Sequence, residues 1–272
     1  MLGDVVDLLR CPVCGSGLAL AGQARIVACA ARHSFDVARQ GYVSLLTQAS
    51  PGTADTPEMV AARSAFLATG AYQPLASHLA RSCTAAAAIL DAGAGTGHYL
   101  AHALPGDARG IALDVSKHAL KVAAKAHPRI GAVVADVWRP LPVRDESVDV
   151  VLNVFAPRNA AEFARVLRPG GRLIVVTPGP GHLRELIEPL GMLTVDEDKE
   201  RRVNESLGGA FARAVRDEVT LELDLDHEQA AAVAGMGPSA WHTDPRSLIG
   251  TMPERLRVTA SFQVSEWLPR KP

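Results

Sequence analysis

The stretch that most constrains this chain is Ile89-Leu90-Asp91-Ala92-Gly93-Ala94-Gly95-Thr96-Gly97-His98. Four alanines, 85–88, lead into a short apolar run that ends in an acid and then breaks into three glycines at alternate positions. This pattern predicts a buried strand feeding a tight turn, with a helix opening over 98–104. Glycines lack a Cβ, so the turn can adopt backbone angles that other residues avoid and can approach a ligand closely. The first N–H groups of the helix would point at that ligand.

The order Asp-x-Gly-x-Gly-x-Gly is one residue tighter than the dinucleotide fingerprint and places an acid ahead of the first glycine. A carboxylate there repels a pyrophosphate and suits a cationic or amine-bearing ligand. The pattern resembles motif I of the class I S-adenosylmethionine (AdoMet) methyltransferases. That resemblance implies that Asp91, Gly93, Gly95, Thr96, Gly97 and His98 face the methionine end of AdoMet. Two more predicted strands end in acids. Asp114, closing Gly110-Ile111-Ala112-Leu113-Asp114, is placed to accept from both ribose hydroxyls. Asp136, in Val133-Val134-Ala135-Asp136-Val137, is placed to accept from the adenine amino group, with Val137 beside it. Each acid alone reads equally well as an aspartate capping a helix. Three in order, on successive strands, favour the cofactor.

The surrounding periodicity alternates strand and helix: strand 88–92, helix 98–104, strand 109–113, helix 116–126, strands 130–135 and 148–154, helix 159–167 and strand 171–177. This is an α/β chain with a mostly parallel, doubly wound, Rossmann-like sheet, whose ligands sit at the carboxyl ends of the strands. Arg168-Pro169-Gly170-Gly171 reads as a structural turn. Helices over 183–191 and 199–212, a strand 219–225, a helix from Glu228 and a strand 258–264 follow, the two strands forming an antiparallel edge.

The amino-terminal stretch is of another kind. Arg10-Cys11-Pro12-Val13-Cys14-Gly15 is a Cys-x-x-Cys turn, and Cys29-Ala30-Ala31-Arg32-His33 supplies a third cysteine and a histidine. Cys11, Cys14, Cys29 and His33 make a closed tetrahedral set with no open position, as structural zinc requires. Leu18 to Leu20 and Arg25 to Val27 are the expected ribbon strands. So small a unit has little core, and metal would supply its folding energy. No thioredoxin-like βαβ context follows to support a redox reading. The loop 47–57, rich in Thr, Ser, Gly and Pro, is the expected boundary. The expected units are therefore a zinc ribbon over 1–48, a linker with two helices covering the cofactor site over 49–84, and the methyltransferase domain over 85–272.

Composition narrows the partners. The 272 residues are 48% hydrophobic with a formal net charge of −1, which supplies a core and gives no general electrostatic case for nucleic acid. No apolar run reaches the length of a membrane span, and the acidic start Met1-Leu2-Gly3-Asp4 has no signal-peptide plan, so a cytoplasmic protein with no membrane contact is expected.

Several segments together carry a more specific resemblance. They are the zinc set, Phe35-Asp36-x-Ala38-x-x-Gly41-Tyr42-Val43, Met59-x-x-Ala62-Arg63, Gly70-x-Tyr72-x-Pro74-Leu75, the glycine turn, Ala135 to Trp138, Asn153 to Asn159 and Met236-Gly237-Pro238-Ser239-x-Trp241-His242. The chain resembles the 23S rRNA (guanine-N1)-methyltransferase family nearly end to end, nearest its tylosin-resistance branch. The resemblance implies AdoMet as donor, N1 of one guanine in a domain II hairpin near the peptide exit tunnel as acceptor, and a homodimer. It also implies that His182 and Tyr72 close over the cofactor.

Asn153, counted with the cofactor-binding residues, would at the end of its strand either bond a base edge or cap a turn. Phe155 would either stack on the base or lie in the core, the core being the preferred reading. No general base is identifiable, although Asp136 and His182 are within reach in principle. A methyltransferase acting on a small molecule and a zinc-ribbon RNA-binding AdoMet sensor are the rival readings. The ribbon speaks against the first and the intact glycine turn against the second.

Overall fold

The computed structural model describes residues 1–270 apart from 24, 49–51, 53, 193–197, 238–248 and 251. The expected loop 47–57 lies partly, and the segment Pro238 to His242 wholly, outside the described residues.

The chain begins with two short 3-10 turns, Leu2–Asp4 and Val6–Leu8, and a small antiparallel sheet of β1 (Leu18–Ala21), β2 (Ile26–Cys29) and β3 (Ser34–Asp36). The strand β4 (Tyr42–Ser44) leaves this unit and joins the main sheet. Helices α1 (Pro57–Ala68) and α2 (Gln73–Ser82) follow. Helix α1 starts where the Thr56 side chain accepts from the Met59 N–H and Pro57 fills the first helical position, which needs no N–H.

Next come β5 (Ala88–Ala92), α3 (His98–Ala103), β6 (Arg109–Asp114), α4 (Lys117–Ala126), β7 (Ile130–Val134), β8 (Val148–Val154), α5 (Ala160–Val166) and β9 (Leu167–Pro178). Helices α6 (Arg184–Ile187) and α7 (Lys199–Leu207), strand β10 (Phe211–Asp226), helix α8 (His227–Gly235) and strand β11 (Arg255–Pro269) close the chain.

The main sheet has the order β10-β11-β9-β8-β5-β6-β7-β4. Strand β11 runs antiparallel to both β10 and β9, and every other pairing is parallel. Chain order reverses on either side of β5, which puts the crevice for a ligand at the carboxyl ends of β5 and β8. The core strands read as apolar runs because both faces of the sheet are covered.

Several expected boundaries move. The helix expected over 199–212 stops at Leu207, and Phe211 already belongs to β10. Strands β10 and β11 run for 16 and 15 residues, far beyond 219–225 and 258–264. Charged side chains over 213–218 break the apolar alternation there, so pairing between the two strands extends them where side-chain pattern gives no signal. The helix expected over 183–191 shrinks to Arg184–Ile187.

One face of the sheet is closed by an unexpected element. The β7–β8 connection, 135–147, contains no helix, and the amino-terminal turns pack on that face with Leu2, Val5, Leu8 and Leu9 buried. Backbone bonds fix them: Arg10 N donates to the Pro142 carbonyl at 3.1 Å and Arg144 N to the Leu8 carbonyl at 2.8 Å. Gly131 on β7 makes room, since a Cβ there would lie 2.1 Å from Val5 Cγ2. The zinc-ligand unit is thus attached to the sheet at both its ends.

Candidate active site and metal centre

The turn between β5 and α3 is built as the glycines require, with Gly93, Gly95 and Gly97 at φ of 90°, 51° and 74°. Their missing side chains face the protein itself. A Cβ on Gly93 would lie 2.3 Å from the Ala156 Cβ, one on Gly95 3.0 Å from the Arg63 guanidinium, and one on Gly97 3.0 Å from the Ala123 Cβ. Gly97 therefore serves the close packing of α3 on α4 and does not line the cavity beside it, contrary to its expected role as a cofactor contact.

That cavity, about 860 Å³, opens at the carboxyl ends of β5, β6, β7, β8 and β9 and is walled on the other side by α1 and α8. It suits a ligand of a few tens of atoms. Asp91, Asp114 and Asp136 all reach it, with Tyr72, Gly93, Gly95, Thr96, His98, Val137 and His182. The Asp114 carboxylate accepts from Gly95 N at 2.9 Å and from Ser116 N at 2.8 Å, and the Asp136 carboxylate accepts from Trp138 N at 2.9 Å.

Six buried side-chain atoms among the described residues have no hydrogen-bond partner: Tyr72 Oη, Asp91 Oδ1, His98 Nε2, Asn153 Oδ1, Arg158 Nε and His182 Nδ1. Five of these six residues line the cavity. Buried polar atoms are normally satisfied, so such a concentration marks a place where a polar ligand completes the bonding.

Electrostatics agree. Burial, with a smaller push from Asp114, raises Asp91 to about 8, so its ionised form lacks a cation. Asp114 is also raised, burial being the main cause. His98 and His182 are lowered to about 4 by burial and are neutral imidazoles at physiological pH. Tyr72 is packed edge-on between Phe66 and Phe262, with ring centroids 4.9 Å apart in each pair, and burial lifts its pKa. The buried Asp91 carboxyl without a cation and the unpartnered donors and acceptors fit a ligand with an ammonium group, hydroxyls and an amino-purine.

Two expectations for the β8 end are corrected. Asn153 does not touch the cavity; it is fully buried, and its amide donates to the Ala92 carbonyl at 3.0 Å and the Pro157 carbonyl at 2.7 Å. It ties the β5 and β8 ends together beneath the site, because an amide satisfies two backbone oxygens that strand pairing leaves free. Phe155 is not a core residue. It is 42% exposed on the cavity wall and holds a left-handed φ of 54°, an unfavourable angle for a bulky side chain.

Sequence reasoning did not assign several wall residues. Trp138 is 65% exposed beside Asp136. Arg63 pairs with Asp55 and donates from Nη2 to the Met236 carbonyl at 2.7 Å, drawing α1 and the end of α8 over the glycine turn. Arg158 and Tyr99 complete that wall. Arg63, Trp138 and Arg158 belong to the segments that carry the family resemblance, and only their exposure to the cavity singles them out.

The second centre is compact. The ligand atoms of Cys11, Cys14, Cys29 and His33 all lie within 4.8 Å of one another. Cys14 and Cys29 sulfurs are 3.7 Å apart, and His33 Nδ1 lies 3.6 Å from Cys11 Sγ and 3.5 Å from Cys29 Sγ. A tetrahedron with Zn–S near 2.3 Å and Zn–N near 2.0–2.1 Å has edges of about 3.7 Å and about 3.5–3.6 Å. The set therefore fits zinc, bound through His33 Nδ1.

Comparison with known proteins agrees with both centres. The family model described as RlmA, N-terminal matches residues 9–48, and that of a methyltransferase domain matches 90–175. A 23S rRNA (guanine(748)-N(1))-methyltransferase of Streptomyces fradiae is 46% identical over 282 residues, covering 99% of this chain and 100% of that protein. A Micromonospora griseorubida protein, provisionally named a 23S rRNA (guanine-N(1)-)-methyltransferase, is 46% identical over 291 residues, covering 98% of this chain and 99% of its own length. The crystal structure of the YcgJ protein from Bacillus subtilis superposes with a TM-score of 0.51 at 17% identity, covering 75% of this chain and 100% of that one, a likeness of fold alone.

Proposed function

The chain belongs to the 23S rRNA (guanine-N1)-methyltransferase family, and from that membership we propose that it methylates the domain II hairpin guanine that the Streptomyces fradiae relative's name numbers 748. It is an AdoMet-dependent methyltransferase with a zinc ribbon. Macrolide resistance of the tylosin type is the biological outcome we assign to it, supported by the resemblance to that branch. The observation that carries the reading is the 46% identity to the Streptomyces fradiae enzyme, which runs through ribbon and catalytic domain alike. With rRNA as substrate the protein works in the cytoplasm; no helix among the described residues is long and apolar enough to cross a membrane. A homodimer, implied by the family resemblance, is part of the proposal.

AdoMet supplies a methyl group on a sulfonium whose departing thioether is neutral. In the proposed arrangement Asp91 takes the ammonium end, Asp114 the ribose hydroxyls and Asp136 the adenine amino group. His182 and Tyr72 cover the cofactor, and their unpartnered atoms support this. The acceptor N1 carries a proton within a duplex or a stacked loop, so the base must be unpaired or flipped out to reach the cavity. Exposed Phe155 offers a face on which it can stack. In the transfer the N1–C bond forms, the S–C bond breaks, and the N1 proton leaves to solvent. Much of the acceleration then comes from holding the two reactants in line.

The test is transfer of labelled methyl to unmodified 23S rRNA, with mass mapping of the product nucleoside. N1-methylguanine in the domain II hairpin is expected. AdoMet binding without label on rRNA would instead favour a small-molecule acceptor.

A further inference from the structure

Two arginines line the cavity among the described residues, and they are held differently. Arg63 lies against Gly95, is paired with Asp55 and donates to the Met236 carbonyl. Arg158 makes one long contact, Nη1 to the Ala156 carbonyl at 3.4 Å, and its Nε is buried without a partner. Burial lowers its pKa, and no acid offsets that effect. A guanidinium stays charged even so. A half-buried cation with no carboxylate is costly unless a ligand supplies the acceptor.

Position selects which ligand. Arg63 stands over the glycine turn, at the end assigned to the methionine part of the cofactor. Arg158 ends the loop that carries Phe155, at the end assigned to the base. The cofactor's sulfonium gains nothing from a second cation beside it, and its carboxylate, at the methionine end, falls to Arg63 over the glycine turn. The acceptor is different: as guanine N1 loses its proton, negative charge spreads onto O6. A guanidinium at O6 therefore binds the transition state more tightly than the neutral base, which is the condition for acceleration. Arginine donating to guanine O6 is also a favoured recognition geometry.

We propose that Arg158 is a catalytic residue of this methyltransferase, donating to O6 of the target guanine and holding the charge that develops there during transfer to N1. Arg158 thereby selects guanine over adenine, whose exocyclic amine would point a donor at the guanidinium. The proposal rests on the rRNA guanine-N1 reading above.

The experiment compares wild type, Arg158→Gln and Arg158→Lys on a 23S rRNA transcript, with AdoMet calorimetry on the same proteins. Arg158→Gln is expected to lower kcat by about 10²- to 10³-fold, as loss of a charge-stabilising donor does, with KM for RNA and AdoMet affinity little changed. Arg158→Lys keeps the charge and is expected to recover at least about tenfold of that loss. A transcript with 6-thioguanine at the target has a more acidic N1–H and a weaker acceptor at C6, so the Gln deficit should shrink on it. An unimpaired kcat, a deficit confined to AdoMet affinity, or an undiminished deficit on 6-thioguanine overturns the role of Arg158 alone. A wild-type chain that binds AdoMet but makes no N1-methylguanine overturns the rRNA reading, and this role with it.

Discussion

Gly93 and Ala156 sit so close that a Cβ built on Gly93 would lie 2.3 Å from the Ala156 Cβ. Gly93 belongs to the turn after β5 and Ala156 to the loop after β8, next to Phe155. The loops assigned to donor and acceptor are thus packed against each other with no space between them. In-line transfer needs the reacting atoms about 3 Å apart, so a contact this close sets the register between cofactor and base.

Gly93→Ala tests that coupling. At φ of 90° an alanine is strained by about 1–2 kcal/mol, and its methyl must push the Ala156 loop away. AdoMet affinity should fall about five- to thirtyfold, by the scale of that strain, and kcat more steeply. Gly97→Ala, whose Cβ would press on Ala123 away from the cavity, should lower the unfolding temperature with a smaller effect on affinity. Calorimetric titration and thermal melts separate the two.

Asp91 makes cofactor affinity depend on pH. Its folded pKa of about 8 lies above its ordinary value, so the free protein holds it protonated at neutral pH. A bound ammonium favours the ionised form, and binding then releases a proton. Affinity should rise with pH and level off above about 8. For stability the sign is opposite: the raised pKa favours the folded state at low pH, and that contribution is lost as pH climbs from the ordinary carboxylate range to about 8. Asp91→Asn should remove both slopes, binding AdoMet weakly while melting higher than wild type at neutral pH. The ligand's own amine titrates in both proteins and cancels from the difference. Parallel slopes in the two proteins would mean that Asp91 is not the group responsible.

Much of this was legible in the chain, for reasons particular to each element. The glycine turn, three strand-end acids and four zinc ligands announce themselves because each needs a specific residue type at a fixed spacing. Asn153 and Phe155 were misjudged because their sequence neighbourhood is symmetrical between burial and exposure. Whether a strand-end amide points into a cleft or under it depends on two carbonyls, of Ala92 and Pro157, that no local pattern reveals. The packing of the amino-terminal turns on the sheet was illegible for the same reason, since it depends on contacts with residues more than a hundred positions away. Arg158 lies within the Asn153 to Asn159 segment that carries the resemblance, but nothing local assigns it a role; only the missing partner at its Nε marks it.

Asp114→Ala removes the acceptor of both Gly95 N and Ser116 N as well as the proposed ribose ligand. Charge-assisted hydrogen bonds contribute about 1.5–3 kcal/mol, so AdoMet affinity should weaken by about ten- to 150-fold. Calorimetry giving an unchanged affinity would remove Asp114 from the cofactor site.

Zinc removal should separate the two centres. Cys11→Ser breaks the tetrahedral set, and none of its four members lines the cofactor cavity. Metal content should fall to zero and methylation of rRNA should be lost. The ribbon strands β1 to β3 should lose amide-exchange protection, because structural zinc contributes folding energy directly. AdoMet affinity should persist. The turns Leu2–Asp4 and Val6–Leu8 are packed on the sheet by their own apolar side chains, so their protection should outlast that of the ribbon. Equal loss of AdoMet binding would make the ribbon a folding element of the whole chain.

Asn153→Ala is the sharpest test of what the β8 end does. The change opens no contact with the cavity, yet it leaves the Ala92 and Pro157 carbonyls without their shared donor. A buried polar group that loses its partner costs about 1–3 kcal/mol, so the protein should melt several degrees lower. The loop carrying Phe155 and Arg158 would lose its tether to β5, and kcat should fall while AdoMet affinity changes little. Asn153→Asp should be worse than Ala, because a carboxylate would then face two carbonyl oxygens in a buried site. If Asp instead retained activity and Ala alone lost it, the side chain would be acting as an acceptor toward the base, as its position at the strand end first suggested.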